Sequence, residues 1–316
     1  MANNPSPVIS LKKTISIIIP TYNGAHKLPA LINSLTAQTI LPDEIIVVVD
    51  GSTDNTLEVL SAFQHISPNL RIIVQGNAGR SAVRNRGASE AKGDLLVFLD
   101  DDMLPQPECL ATHVTHHQAI QSSILTGSQI DSHNDTDFQR FKVILSQRWS
   151  SQLNKIKGRP LQNKSIFLSA ANFSIPSSLF RELGGFDPRL TDAEDFDLAV
   201  RASEAGVPLY YNHDALAYHE DKITGTSYIK RLRQYRKAHE LLRKIEADRY
   251  ASISLHRPVE PSGMKALFFR FFAQRFWVKW LDQEGLKVII PKLIRYKLYD
   301  YIITANGVFY PRDVPL

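Results

Sequence analysis

Four short apolar runs constrain this chain most: residues 15–19, 44–49, 70–74 and 94–99, separated by stretches of helical periodicity. Such alternation predicts a mostly parallel sheet with crossover helices on both faces. In the first, second and fourth runs Ile, Val and Leu are nearly continuous, which marks strands buried on both sides. Ligands of such sheets gather at the carboxyl ends of the strands. The residues just past the runs are therefore the candidates for chemistry: Thr21-Tyr22-Asn23, Asp50-Gly51-Ser52 and Asp100-Asp101-Asp102.

Beyond Pro105 the pattern predicts a helix over residues 108–120, a strand over 123–129 and a polar stretch over 131–137. An apolar run over 166–175, a turn at Gly184-Gly185 and a helix over 193–205 follow. After Thr224 the texture changes to basic, aromatic helical segments over 228–249, 264–281 and 286–304, linked through Pro258 to Pro261 and through Gly285. These shifts divide the chain into a tail (1–13), an α/β domain (14–222) and a helical extension (223–316). With 316 residues, 43% of them hydrophobic, there is material for one large core plus an appendage.

Charge and cysteine usage narrow the surroundings. A net charge of +5 gives a weak attraction to anions and does not choose among phosphates, nucleic acid and lipid. Nucleic acid is not expected as a partner. A single cysteine, Cys109, excludes an internal disulfide and suits a reducing compartment, so the cytoplasm is the expected location. The tail has no continuous apolar stretch of the secretory kind. No window reaches the roughly 20 apolar residues of a membrane-spanning helix.

The acidic triplet is the densest signal. In extended backbone Asp100 and Asp102 would project to one side and Asp101 to the other. Carboxylates this close repel one another unless a cation lies between them, and Mg²⁺ or Mn²⁺ would serve; a solvated turn is the competing explanation. Asp50 either accepts a hydrogen bond from a nucleotide base or belongs to the turn and caps that start the next helix. Residues Gly79-Arg80-Ser81-Ala82-Val83-Arg84-Asn85-Arg86-Gly87 open a helix with three arginines, of which Arg84 is the candidate for phosphate contact; a solvent-facing basic side is the alternative. Past Gly184-Gly185-Phe186-Asp187, acids fill four of the six positions from Asp192 to Asp197. Acids in a helix's first turn suit its dipole. Four exceed that need, and a general base with a second acid orienting it explains the surplus.

Together with Ser16-Ile17-Ile18-Ile19-Pro20-Thr21-Tyr22-Asn23 and Asp50-Gly51-Ser52-Thr53-Asp54, these elements resemble family 2 of the glycosyltransferases, of the GT-A fold, over residues 14–220. The resemblance implies an inverting enzyme that moves a sugar from a nucleotide-sugar donor to a hydroxyl of a glycan or lipid-linked acceptor. It implies that Thr21 and Asp50 contact the nucleoside, with Asn23, Arg84 and Asp101 in the same donor-binding set. Asp100 and Asp102 would form the family's DXD motif, holding the diphosphate through Mn²⁺ or Mg²⁺. Asp195 would be the catalytic base, its pKa raised by Glu194 and Asp197. Asn172, in Ala171-Asn172-Phe173, and Glu194 would lie on the acceptor side. Val49 departs from the pattern, because many relatives carry a second Asp there.

His219, in Ala217-Tyr218-His219-Glu220, is either a metal or phosphate contact, as in related enzymes, or a partly buried structural histidine. His113, His116 and His117 share a predicted helix with no carboxylates near, which favours a solvated face over zinc. Two rival functions fit less well. A sugar-nucleotide pyrophosphorylase calls for a Gly-rich loop where Pro20-Thr21-Tyr22-Asn23 stands, and a non-catalytic carbohydrate-binding protein has no need of Asp100, Asp102, Glu194 and Asp195. The basic extension, with Phe268-Phe269-Arg270-Phe271-Phe272, Trp277 and Trp280, is either a packed helical cap or a peripheral surface resting on anionic lipid at the inner face of a membrane.

Overall fold

The computed structural model describes residues 13–162, 165–252 and 261–311, so most of the tail and most of the Pro258 to Pro261 link lie outside the described residues. The amino-terminal half alternates as its apolar runs predict: β1 (Ile15–Thr21), α1 (Leu28–Thr36), β2 (Glu44–Asp50), α2 (Thr56–Gln64), β3 (Leu70–Gln75), α3 (Arg80–Glu90) and β4 (Leu95–Leu99). Then come β5 (Met103–Pro105), α4 (Cys109–Ala119), β6 (Ile124–Asp131), α5 (Asp137–Asn154), β7 (Asn172–Pro176), α6 (Ser177–Glu182), α7 (Glu194–Glu204) and β8 (Leu209–His219). All eight strands form one mixed sheet, in the order β3-β2-β1-β4-β7-β6-β8-β5. β1 to β4 run parallel, and β7 reverses direction against β4.

Period-two alternation explains how β1, β2 and β4 are buried on both faces. Ile15, Ile17, Ile19, Val47, Leu95 and Val97 pack with α1, α2 and α4 through Leu31, Leu60 and Leu110. On the other face Ile18, Leu96 and Phe98 meet Phe173, Phe180, Phe186 and Leu198. β3, at the sheet edge, is only partly covered.

The extension consists of α8 (Gly225–Ile245), α9 (Ala247–Ser252), α10 (Gly263–Phe272), α11 (Arg275–Asp282), α12 (Gly285–Ile289), α13 (Lys292–Ile303) and a π-helical turn (Thr304–Phe309). Their inward faces close over α5: Phe138 and Phe141 share a cluster with Ile229, Phe269, Phe272, Val278, Leu281 and Tyr299. Asp137, in the first turn of α5, anchors that contact. Both its oxygens accept from the buried Arg295, and one accepts from the Tyr299 hydroxyl at 2.9 Å. The helix α5 goes unread in the sequence, although Thr136 and Gln139 form a capping box at its start.

The histidines of α4 correct the solvated-face expectation. His113 and His117 are fully buried, because that side of α4 faces the sheet. His113 Nδ1 lies 2.7 Å from Ser174 Oγ and its Nε2 3.0 Å from Asn172 Oδ1, while His117 Nε2 lies 2.9 Å from Ser174 Oγ. Burial lowers their pKa values to about 4 and about 2, so both rings are neutral.

Candidate active site

The carboxyl ends of β1, β2 and β4 open onto a cleft of about 1160 Å³, whose walls include Thr21, Asp50, Arg84, Asp100, Asp101, Asp102, Glu194, Asp195 and His219. The ends of β1 and β2 and the loop that opens α3 build one wall. Asp50 leaves β2 at Gly51, whose φ of 75° brings the chain against Asn77. The Asp50 carboxylate accepts from the Ala78 and Gly79 backbone N–H groups at 2.9 and 3.0 Å and from the Gln75 amide at 2.7 Å, which fixes the loop that opens α3. Asn23 is turned away from the cleft. Its side-chain oxygen accepts from the Thr53 N–H at 2.8 Å, so it braces the turn after β2.

The acidic triplet does not alternate as an extended strand would, because β4 ends at Leu99 and a turn closes with Met103 N–H donating to the Asp100 carbonyl at 3.1 Å. Asp100 is drawn onto Arg84. Asp101 and Asp102 instead share a cation that the sequence reading missed: Lys27 Nζ lies 3.2 Å from Asp101 Oδ1 and 3.4 Å from Asp102 Oδ2. Asp101 also accepts from the Thr21 hydroxyl at 2.7 Å. Lys27 precedes α1, and nothing in its sequence neighbourhood points to the triplet.

Asp102 faces His219 at 3.6 Å, and the other ring nitrogen of His219 lies 3.4 Å from Asp131, which pairs with Lys142 at 3.0 Å. Burial alone would lower the His219 pKa, but the two flanking carboxylates outweigh it and raise it to about 10. Burial would raise Asp102; His219 and Lys27 reverse this and hold it well below the ordinary carboxylate range. Asp131 sits at the end of β6, so the edge rule that selected the triplet applies to it equally.

These donors suit a hard divalent cation. A carboxylate and an imidazole, Asp102 and His219, are adjacent, and such ions take one or two protein ligands when phosphate oxygens supply others. Among the described residues no three His, Cys, Asp or Glu groups form a metal cluster. Ligation through His219 requires loss of its proton, which ties metal affinity to pH.

Arg84 departs from its expected phosphate-binding role. It is 4% exposed, and its guanidinium bridges Asp100 and Glu194, the latter at 2.7 Å. Burial would lower its pKa, but those carboxylates more than offset this and keep it charged. Arg84 is therefore a positioning residue that ties the end of β4 to the start of α7. Glu194, its partner, is 3% exposed and committed to that pair.

α7 begins from strained backbone. Ala193, at its N-cap, is buried with φ of 61°, a left-handed conformation that a Cβ disfavours. That turn sends Glu194 toward Arg84 and Asp195 into the cleft. Asp195 accepts from the Phe196 N–H at 2.8 Å and the Ala170 N–H at 3.3 Å. Its pKa is pushed up to about 6, first by burial and then by Glu194. Asp197, expected to contribute, is instead paired with Arg201 and accepts from the Tyr250 hydroxyl.

Asn172 is also corrected. Its side chain is fully buried behind the cleft wall, donating to the Ser128 and Ala215 carbonyls at 3.1 and 2.9 Å. A Cβ at Gly127 would collide with it, so that glycine permits the contact. Asn172 ties β7 to β6 and β8 rather than facing an acceptor. The far wall holds residues the sequence reading passed over: Trp149 and Phe167, in edge contact at 4.2 Å between centroids, and Arg231 and Tyr235 from α8. Arg231 pairs with Asp192 at 2.7 Å.

Comparison with known proteins agrees with this geometry. The family model for glycosyl transferase family 2 matches residues 16–184, more than half of the chain. Glycosyltransferase AglE of Haloferax volcanii is 26% identical over 222 residues, spanning 69% of this chain and 71% of its own length. The O-antigen chain rhamnosyltransferase RfbN of Salmonella typhimurium is 27% identical over 214 residues, covering 66% of this chain and 67% of RfbN. Among solved structures, the mannosyltransferase PcManGT of Pyrobaculum calidifontis, in complex with GDP-Man and Mn²⁺, superposes with a TM-score of 0.61 at 16% identity, covering 94% of this chain and 88% of that one. TarS 1-349 of S. aureus in complex with UDP superposes at 0.53 with 17% identity, covering 95% and 91%. The matched strands and the acidic cleft at their carboxyl edge make this chain a glycosyltransferase with the GT-A fold, and it belongs to glycosyl transferase family 2.

Proposed function

We propose that the protein transfers a sugar from a nucleotide-diphosphate donor to an acceptor hydroxyl with inversion at the anomeric carbon, in the assembly of a glycan or glycolipid. The observation that carries this reading is Asp195: a carboxylate with its pKa raised to about 6, in the same cleft as Asp100 to Asp102. A base with that pKa is ionised at neutral pH yet still takes up a proton.

The acceptor oxygen attacks the anomeric carbon while its proton passes to Asp195, and the bond from that carbon to the diphosphate oxygen breaks with its electron pair on the leaving group. Two backbone N–H groups, from Phe196 and Ala170, hold the Asp195 carboxylate in place. Arg84 fixes Asp100 against Glu194, and Lys27 pairs with both Asp101 and Asp102, offsetting part of their charge. A divalent cation held by Asp102 and His219 together with diphosphate oxygens would neutralise charge on the departing group. The PcManGT complex with GDP-Man and Mn²⁺ and the TarS complex with UDP support both the donor class and the metal.

The test is a panel of UDP-, GDP- and dTDP-sugars with Mn²⁺ or Mg²⁺, read by thermal stabilisation and by release of nucleoside diphosphate. One donor should stabilise the fold in a metal-dependent way, and product NMR should show the inverted anomer. Equal donor affinity with and without metal would remove the metal from this reading. A retained anomeric configuration would remove the single displacement.

A further inference from the structure

The outward faces of α10 to α13 bear an apolar surface that the cleft does not use. Among the described side chains between residues 264 and 294, ten large apolar ones are exposed, including Met264 at 87%, Val288 at 89% and Leu293 at 83%. α10 and α11 are two-faced: Phe269, Phe272, Val278 and Leu281 fill the core, while Phe268, Phe271, Phe276 and Trp280 point outward. The outward rings are continuous, with Phe271 to Phe276 and Phe276 to Trp280 both 6.5 Å between centroids. A monomer in water rarely leaves so large an apolar patch uncovered.

Charge identifies the occupant. Residues 263–297 hold eight Lys or Arg and two acids, an excess larger than the +5 of the whole chain. Seven of those cations are exposed, and both acids face other partners. Asp282 accepts from Gly225 and Thr226, and Glu284 accepts from the Asp137 N–H and pairs with Lys287. A second copy of this chain would bring like charges face to face, whereas an anionic lipid surface complements them. Among the described residues no helix is long and apolar enough to cross a membrane.

We infer that α10 to α13 dock this protein on the surface of an anionic bilayer, with the outward rings in the headgroup region and the cations against lipid phosphates. α11 is tied to the start of α8 through Asp282, and α8 lines the cleft with Tyr228, Arg231 and Tyr235. Docking would thus engage helices packed directly on one that lines the cleft. None of the outward side chains lines the cleft, so the inference stands apart from the transfer chemistry.

The test is flotation of the full chain with vesicles of phosphatidylcholine alone or mixed with phosphatidylglycerol. Binding should require the anionic lipid and weaken as salt rises. Lys265→Gln/Arg275→Gln/Lys279→Gln alters only exposed positions and should lower partitioning on the order of 100-fold, since each cation near such a surface is worth roughly fivefold. Phe271→Ser/Phe276→Ser/Trp280→Ser should lower it at least tenfold, with the melting temperature and donor binding retained. If that apolar variant misfolds, the charge variant decides. No binding of the unaltered chain to mixed vesicles, equal binding to neutral ones, or unchanged binding by the charge variant overturns the inference. So does a concentration-dependent dimer that the apolar variant abolishes.

Discussion

Replacing Asp195 by Asn separates catalysis from stability within one residue. In the unaltered protein the base must be ionised, and with a pKa of about 6 it is roughly 90% ionised at pH 7 and 10% at pH 5. Transfer at saturating donor should therefore fall about tenfold per pH unit below 6. Asn keeps the size of the side chain but cannot take the proton, so the rate should drop on the order of 10²- to 10⁴-fold and lose that acid limb. Stability should move the other way. The folded state holds this proton more tightly than the unfolded chain, so stability declines as pH rises from about 4 to 6 and stays reduced above. The displacement is worth at most about 3 kcal/mol, so above pH 6 the variant should melt no earlier than the unaltered protein. The assays are initial rates from pH 4.5 to 8.5 and parallel thermal melts. Near-normal transfer by the variant, or an acid limb centred near 4, refutes the assignment.

Three further outcomes follow from the same cleft and its support. Arg84→Met leaves Asp100 and the buried Glu194 uncompensated and should destabilise the fold by about 3–5 kcal/mol in denaturant titration; a loss under about 1 kcal/mol would deny the bridge its role. Asp102→Ala should weaken donor binding in calorimetry chiefly when Mn²⁺ is present, and an equal loss with and without metal would place Asp102 elsewhere in the site. His113 is neutral when folded, with its pKa lowered to about 4, so stability should be lost as pH falls from about 6.5 toward 4. His113→Gln should flatten that dependence in melts across this range; an unchanged slope counts against it.

The sequence was legible where burial follows from a residue's own run. β1, β2 and β4 are uniform enough that any packing of them hides both faces, and the edge rule then locates the triplet and Asp50. It was not legible where a side chain's partner is distant. Arg84 looks like a phosphate ligand until Glu194, 110 residues on, folds against it. The α4 histidines look solvated until β7 places Ser174 and Asn172 against them. Lys27 carries no local sign of its position between Asp101 and Asp102. The aromatic extension supported two readings because its helices are two-faced: one face of α10 and α11 is core, as a packed cap requires, and the other is exposed.

The reversal of strand direction at β4 has a consequence for how such an enzyme diversifies. On one side β4 runs parallel to β1, and on the other it meets β7 head to tail, so Leu99 lies opposite Asn172. The segment entering β7 thus arrives where the triplet leaves β4, and Asp100 N–H bonds the Ala171 carbonyl at 3.4 Å across that seam. Of the cleft residues, Thr21, Lys27, Asp50, Arg84 and Asp100 to Asp102 come from the chain before the seam, and Trp149, Phe167, Asp195, His219 and α8 come from after it. The seam is thus a dividing line for change: loops after residue 105 could be lengthened, exchanged or recharged without disturbing the carboxyl edge of the parallel half.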